Sequence, residues 1–294
     1  NGSYIRDANT GINALEQSQV YVLNSNITDC ITGIYIDSTY DCSKHNITLK
    51  VLGSKFGLLR PAFFTDYVGQ PAHGTLPKAG IEMYDMPMQT IGDNLLQRNF
   101  FDKLNTGLVA HRSVVRLYNS RFENIQVDTA YSEGYRGSAI VSKGSYGNGT
   151  CGINSDITIA PNWNDTIVFN CHRGVFTSYS NLNIDSNRIL RVNAGIYSTN
   201  CYRLHALATN NLIAASYRGV NWAFNTGATF MSLKNNTISV SNIDSAKAVV
   251  LRENTITAYD TIADNVIFVT DAQDGIFAQG YFNPVILRNV ITQN

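Results

Sequence analysis

The stretch LKNNTISV, Leu233–Val240, decides the fold, because Asn236 stands two residues before Ile238. The same Asn-x-Ile triplet recurs at Asn187–Ile189, Asn211–Ile213, Asn254–Ile256 and Asn289–Ile291. Extending the triplet gives a ten-residue pattern, [Asn/Ser/Thr]-x-[Ile/Val/Phe]-x5-Gly-[Ile/Val/Leu]. It fits Ser3–Ile12, Ser25–Ile34, Asn99–Leu108, Thr166–Val175, Asn187–Ile196 and Asn211–Val220. Successive matches are offset by 22 residues from Ser3 to Ser25, 21 from Thr166 to Asn187 and 24 from Asn187 to Asn211. SRFENI at Ser120 keeps the corner and loses the glycine. A period of roughly 20–25 residues is the mark of a solenoid.

Between corners the pattern alternates, as in ITLKVL (Ile47–Leu52), VVRLY (Val114–Tyr118) and FMSLK (Phe230–Lys234). Period two over a handful of residues predicts strands, and no helical period is sustained. Short strands, polar corners and this repeat length together predict an all-β parallel β-helix solenoid of about a dozen coils. Each coil gives one strand to each of three sheets, stacked at the ordinary spacing of about 4.8 Å, for a length of roughly 55–60 Å. At the corner, asparagine tolerates a left-handed backbone and its amide can bond to its counterpart one coil away. This predicts a ladder through Asn99, Asn187, Asn211, Asn236, Asn254 and Asn289. The glycine is expected at the next bend, where φ turns positive.

The chain reads as a single domain, 1–294, and as a fragment of a longer polypeptide, since neither end carries a capping helix. Two stretches break the period. Phe56–Gly80 holds Pro61, Pro71 and Pro77, and Val127–Asp156 is rich in Gly, Tyr and Ser. They predict insertions at about 57–79 and 127–156, with Gly137–Gly144 completing a regular strand.

The repeats resemble the right-handed parallel β-helix repeats of the pectate-lyase-like superfamily, above all the repeat proteins of bacterial surfaces and secretomes. The resemblance implies the right hand of the coil and a secreted or bacterial cell-surface setting. It does not select an activity, since that superfamily spans lyases, hydrolases, epimerases, tailspikes and adhesins. The superfamily's lyase and hydrolase signatures are not met here. Leu59-Arg60-Pro61 continues with Ala62 and Phe63, Asn105-Thr106-Gly107 lacks the acid, and His172-Arg173-Gly174 is not Gly-His-Gly.

Composition narrows the partners. Lys plus Arg equals Asp plus Glu at 22 each, and charged residues are 15% of the chain. A neutral, charge-poor surface disfavours nucleic acid and anionic membranes. No apolar run is long enough for a membrane helix. The expected partner is a polysaccharide or a surface protein, with end-on contact to the rest of the chain or to another subunit. Five cysteines, Cys30, Cys42, Cys151, Cys171 and Cys201, form no CxxC pair. Their spacing leaves disulfides and buried thiols equally open.

For catalysis the residues on offer are Glu133, Arg136, Lys143 and His73, in or beside the insertions, with Tyr131 and Tyr135 nearby. A lyase or hydrolase needs a base and a group that neutralises an acidic sugar. For binding, the residue two after each repeat glycine is expected to face outward. This names Asn13, Tyr35, Val109, Phe176, Tyr197 and Asn221, with Glu82 and Phe277 from looser matches. Phe176, Tyr197, Tyr35 and Asn221 are the expected binding residues, since aromatic rings on an outer face can stack on sugars. Thr270–Gly275 has two acids three apart but too few ligands for a calcium site, and no histidine spacing suits a metal. No cofactor is expected, with calcium at the loose turn Thr270–Gly275 as the one alternative. The preferred reading is a non-catalytic stalk, adhesin or binding scaffold; the alternatives are a polysaccharide lyase or hydrolase and a subunit of a larger assembly.

Overall fold

A computed structural model of the chain describes residues 2–15, 19–38, 47–58, 76–93, 97–145, 155–161, 166–200, 205–223, 230–241, 245–252, 261–280 and 284–293. His73, Asn254, Cys42, Cys151 and Cys201 lie outside these residues, as does 59–75 of the first expected insertion. Among the described residues every regular element is a strand, and the strands pair in parallel. The fold is all-β, with long parallel sheets wound in a solenoid-like arrangement. The residues group into two compact units, Asn1–Asp156 and Ile157–Asn294.

In the first unit the strands come in threes. Tyr4–Arg6, Thr10–Leu15 and Gln19–Leu23 are followed by Asn26–Thr28, Thr32–Asp37 and Thr48–Leu52. Lys55–Gly57, Ala79–Tyr84 and Gln89–Ile91 come next, then Asn99–Asp102, Thr106–His111 and Val114–Leu117, then Ser120–Glu123 and Ser138–Lys143. Each strand pairs with the one holding its place in the next coil. The second unit repeats the scheme. In it, Arg188–Thr199 and Leu212–Ala223 each run the first and second places together as one 12-residue strand.

Register turns the sequence repeat into columns of like side chains. Ile189 lies beside Ile213, Ile213 beside Ile238 and Ile238 beside Ile267, and all four are fully buried. In the first unit the equivalent column is Ile27, Phe56, Phe101 and Phe122. Its phenylalanine rings stack with centroids 4.8 and 4.5 Å apart, the spacing the strands impose. Each such side chain taken out of water contributes about 1.5–3 kcal/mol. The column is therefore the main cohesive element of its coil.

The polar corner is a ladder, as the triplets imply. The backbone N–H groups of Asn187, Asn211, Asn236 and Asn265 donate to the side-chain oxygens of Asn211, Asn236, Asn265 and Asn289, at 2.9–3.0 Å. Each amide Nδ2 reaches back to a carbonyl on the adjoining coil, as Asn236 does to Ala208 at 2.9 Å. The place between Asn236 and Asn289 belongs to Asn265. In the first unit serine shares the role: Ser25 N–H donates to Ser54 Oγ, and Ser54 N–H to Asn99 Oδ1. Buried main-chain groups at a bend need such partners.

Two conformational details differ from the sequence reading. The left-handed residue is the one before the ladder asparagine: Ser186, Asn210, Asn235, Asp264 and Arg288 have φ between 48° and 58°. The repeat glycines are not at positive φ. They are there because the coils touch. A Cβ on Gly11 would lie 2.6 Å from Ile27 Cγ2 and 2.7 Å from the Gly33 carbonyl oxygen, and the other repeat glycines meet the next coil in the same way. Cys30 and Cys171 are buried, with thiols bonded to the carbonyls of Thr28 and Phe169.

Candidate functional site

The outward positions of the second strands give each unit one chemically distinctive surface. In the first unit two columns run side by side. One holds Tyr35, Glu82, Val109 and Val141; the other holds Asp37, Tyr84, His111 and Lys143. Alternation sends both columns outward, yet Glu82 and Val109 are 2% and 1% exposed. The segment from Asn124 to Gly137 is pinned by several hydrogen bonds. Asp128 N–H donates to Asn105 Oδ1, Gly137 N–H donates to the Asn105 carbonyl, and Tyr131 O–H donates to the Leu76 carbonyl. Its Tyr135 meets His111 edge-on at 5.8 Å, with hydroxyl and Nε2 3.4 Å apart.

Most polar groups here satisfy one another, while Glu133 Oε2 is buried without a hydrogen-bond partner among the described residues. Glu82 accepts from Lys78 Nζ at 3.1 Å and from Tyr84 O–H at 2.8 Å. Lys78 also lies 3.6 Å from Glu133. Tyr84 stacks flat on His111 at 4.4 Å, and Lys143 Nζ stands 5.9 Å from the Tyr135 ring. Arg136 donates to the Tyr131 carbonyl at 2.6 Å and so closes its own loop. Burial pushes the Tyr84 and Tyr135 hydroxyls well above the ordinary tyrosine range, with Glu82 adding to both. Burial, helped by Asp37, pushes Tyr35 up to about 12. Burial also lowers His111 to about 4, with Lys143, Arg112 and Lys78 pulling the same way. At neutral pH the imidazole is uncharged and the phenols keep their protons. The cluster can donate hydrogen bonds, but its tyrosines cannot serve as bases.

In the second unit the outward column is Phe176, Tyr197, Asn221, Val250 and Phe277. Phe176 and Tyr197 stack at 5.7 Å with planes 11° apart, and both are half-buried. The Arg173 guanidinium lies 5.9 Å from one ring and 5.8 Å from the other. Asn221 and Val250 are buried, so the column is interrupted before Phe277. Phe277 has Lys247 at 4.3 Å and Arg252 at 5.5 Å from its ring centre. Aromatic rings alternating with cations on one sheet face can hold a flat, partly apolar ligand with polar edges.

The structure brings Glu133 and Lys143 into the tyrosine–histidine cluster and leaves Arg136 in the covering segment. Glu82, Tyr84, His111 and Lys78 are the members that sequence reasoning did not assemble. Their signal was the strand register itself, which pairs Asp37 with Tyr84 across the first expected insertion. Asp274, in the weak calcium turn, is ion-paired with Lys247. Among the described residues no three His, Cys, Asp or Glu side chains come together as a metal site. Comparison of the chain with protein-family models, curated proteins and solved structures gave no match.

Proposed function

We propose that the chain is a right-handed parallel β-helix of about a dozen coils acting as a non-catalytic binding scaffold, secreted or displayed on a bacterial surface. Its partner is a polysaccharide or a surface protein. The observation that carries this reading is the half-exposed Phe176–Tyr197 stack with Arg173 across both rings. Sugar rings present C–H faces that pack on such aromatics, and Arg173 can donate to their hydroxyls. Binding is favoured over turnover because the ionisable cluster of the first unit is covered and most of its groups are paired with one another. No cofactor is needed for binding of this kind.

Two other readings each have one observation in their favour. Glu82 and Glu133 both approach Lys78, an arrangement a polysaccharide lyase or hydrolase could use. Tyr4, Tyr21 and Leu23 in the first coil, and Ile286, Leu287, Val290 and Ile291 in the last, are exposed, as an end-on contact with more of the chain or another subunit would require.

The test is a glycan array followed by calorimetry, run with reducing-sugar and unsaturated-product assays. The reading expects binding that falls at least tenfold in Phe176→Ala and in Tyr197→Ala, with no product formed. Turnover that disappears in Glu133→Gln would replace it with the enzymatic reading.

A further inference from the structure

Where the first strand place meets the second, Arg188–Thr199 bends without breaking. Its register to Leu212–Ala223 slips twice, between Leu190 and Val192 and between Val192 and Ala194. Bulges of this kind re-aim side chains. Here they open a cleft of about 360 Å3 lined by Arg191, Asn193, Ser216, Ser239 and Ser241, over a floor of Val192, Ala214 and Ala215. Ala214 helps make the room, since its register neighbours are Leu190 and Ser239. The volume falls within the ~300–1,000 Å3 of ordinary small-molecule sites.

Arg191 is the informative residue. Three arginines sit at left-handed corners: Arg112, Arg191 and Arg288. Two of them are clamped by an aspartate at a left-handed corner of the neighbouring coil. Arg112 grips both oxygens of Asp85 at 2.6 Å, and Arg288 grips both of Asp264 at 2.6 and 2.8 Å. The left-handed residue beside Arg191 is Asn170, whose N–H donates to the Leu190 carbonyl. No acid answers Arg191 among the described residues. One side of its guanidinium lies over Phe169 at 5.0 Å, and the residue borders the cleft.

The rest of the lining complements an oxyanion with hydroxyls attached. Asn193 Oδ1 accepts from Ser216 at 3.2 Å, which leaves the Asn193 amide hydrogens available. Ser239 and Ser241 occupy outward positions of Thr237–Ser241. A guanidinium fork pairs with two oxygens of one anionic group, the serines and the amide suit hydroxyls, and the alanine and valine floor suits a C–H face. We propose that this cleft binds a small hydroxylated ligand bearing one oxyanion, such as a sugar phosphate, sugar sulfate or sugar acid, with the anion on Arg191. The site does not depend on the Phe176–Tyr197 surface.

Calorimetric titration with glucose 6-phosphate, glucose 6-sulfate, glucuronate and unmodified glucose tests it and tells the anion types apart. At least one anionic ligand is expected to bind tenfold or more tightly than glucose. Arg191→Asn, which keeps a residue tolerant of the left-handed corner, should remove that advantage. Ala214→Leu should block the cleft, and Arg288→Gln should change nothing. Melting curves confirm that each variant is folded. The proposal is overturned if no anionic ligand outbinds glucose, or if the folded Arg191→Asn protein binds like the parent.

Discussion

A methyl group at Gly195 would press into the carbonyl oxygen of Gly219 and come to 2.5 Å of Ile213 Cγ2. Neither neighbour can yield without moving a coil. Gly195→Ala is therefore expected to destabilise the second unit by about 1–3 kcal/mol, the usual cost of overpacking. Gly134→Ala, where a Cβ meets nothing within 4 Å, should cost far less. Chemical unfolding of both variants beside the parent checks this. Equal, negligible losses would remove the close-contact explanation for the glycines. The repeat showed where these residues stand but not why. Spacing marks a special backbone position, and both positive φ and close approach select glycine. The same ambiguity hid the corner. Asn210-Asn211 and Asn235-Asn236 put two tolerant residues in a row, and only the structure separates the left-handed first from the ladder-forming second.

At the scale of elements, alternation located strands such as Val114–Leu117 and Phe230–Lys234 because each has one dry face. Ser138–Lys143 was also legible inside its glycine-rich surroundings. What alternation cannot give is which coil lies next when the loop between is long. The Asp37–Tyr84–His111–Lys143 column, and with it the candidate cluster, emerged only from the register. The triplet Asn265-Val266-Ile267 carried the same signal as its fellows and completes the ladder. The column predicts a pH dependence. His111 titrates near 4 in the folded protein, below its ordinary value near 6.5. A lowered histidine leaves stability whole above about 6.5, and stability falls as the pH drops and the unfolded chain takes the proton first. The loss attributable to His111 should reach about 3 kcal/mol at pH 4. Asp85 opposes the shift, while Lys143, Arg112 and Lys78 support it. Unfolding curves for the parent and His111→Gln between pH 7 and 4 should converge as the acid rises. Parallel curves would mean that His111 is not held neutral by its surroundings.

For the whole molecule, composition and repeat together account for the all-β class, the parallel sheets and the absence of net charge. They could not distinguish among the uses of such a scaffold, because most of the sequence specifies columns and corners common to every coil. The proposed function rests on departures from the repeat: the cation over Phe176 and Tyr197, the covering segment with Tyr135, and the corner where no described aspartate answers Arg191. The central claim is that successive coils lie in register, so that like residues form continuous buried columns. Isoleucine-methyl NMR on selectively labelled protein tests it most directly. Coils in register give through-space contacts from the Ile189 methyl to Ile213, from Ile213 to Ile238 and from Ile238 to Ile267, with none between Ile189 and Ile238. Missing neighbour contacts, or a direct contact between Ile189 and Ile238, would contradict it.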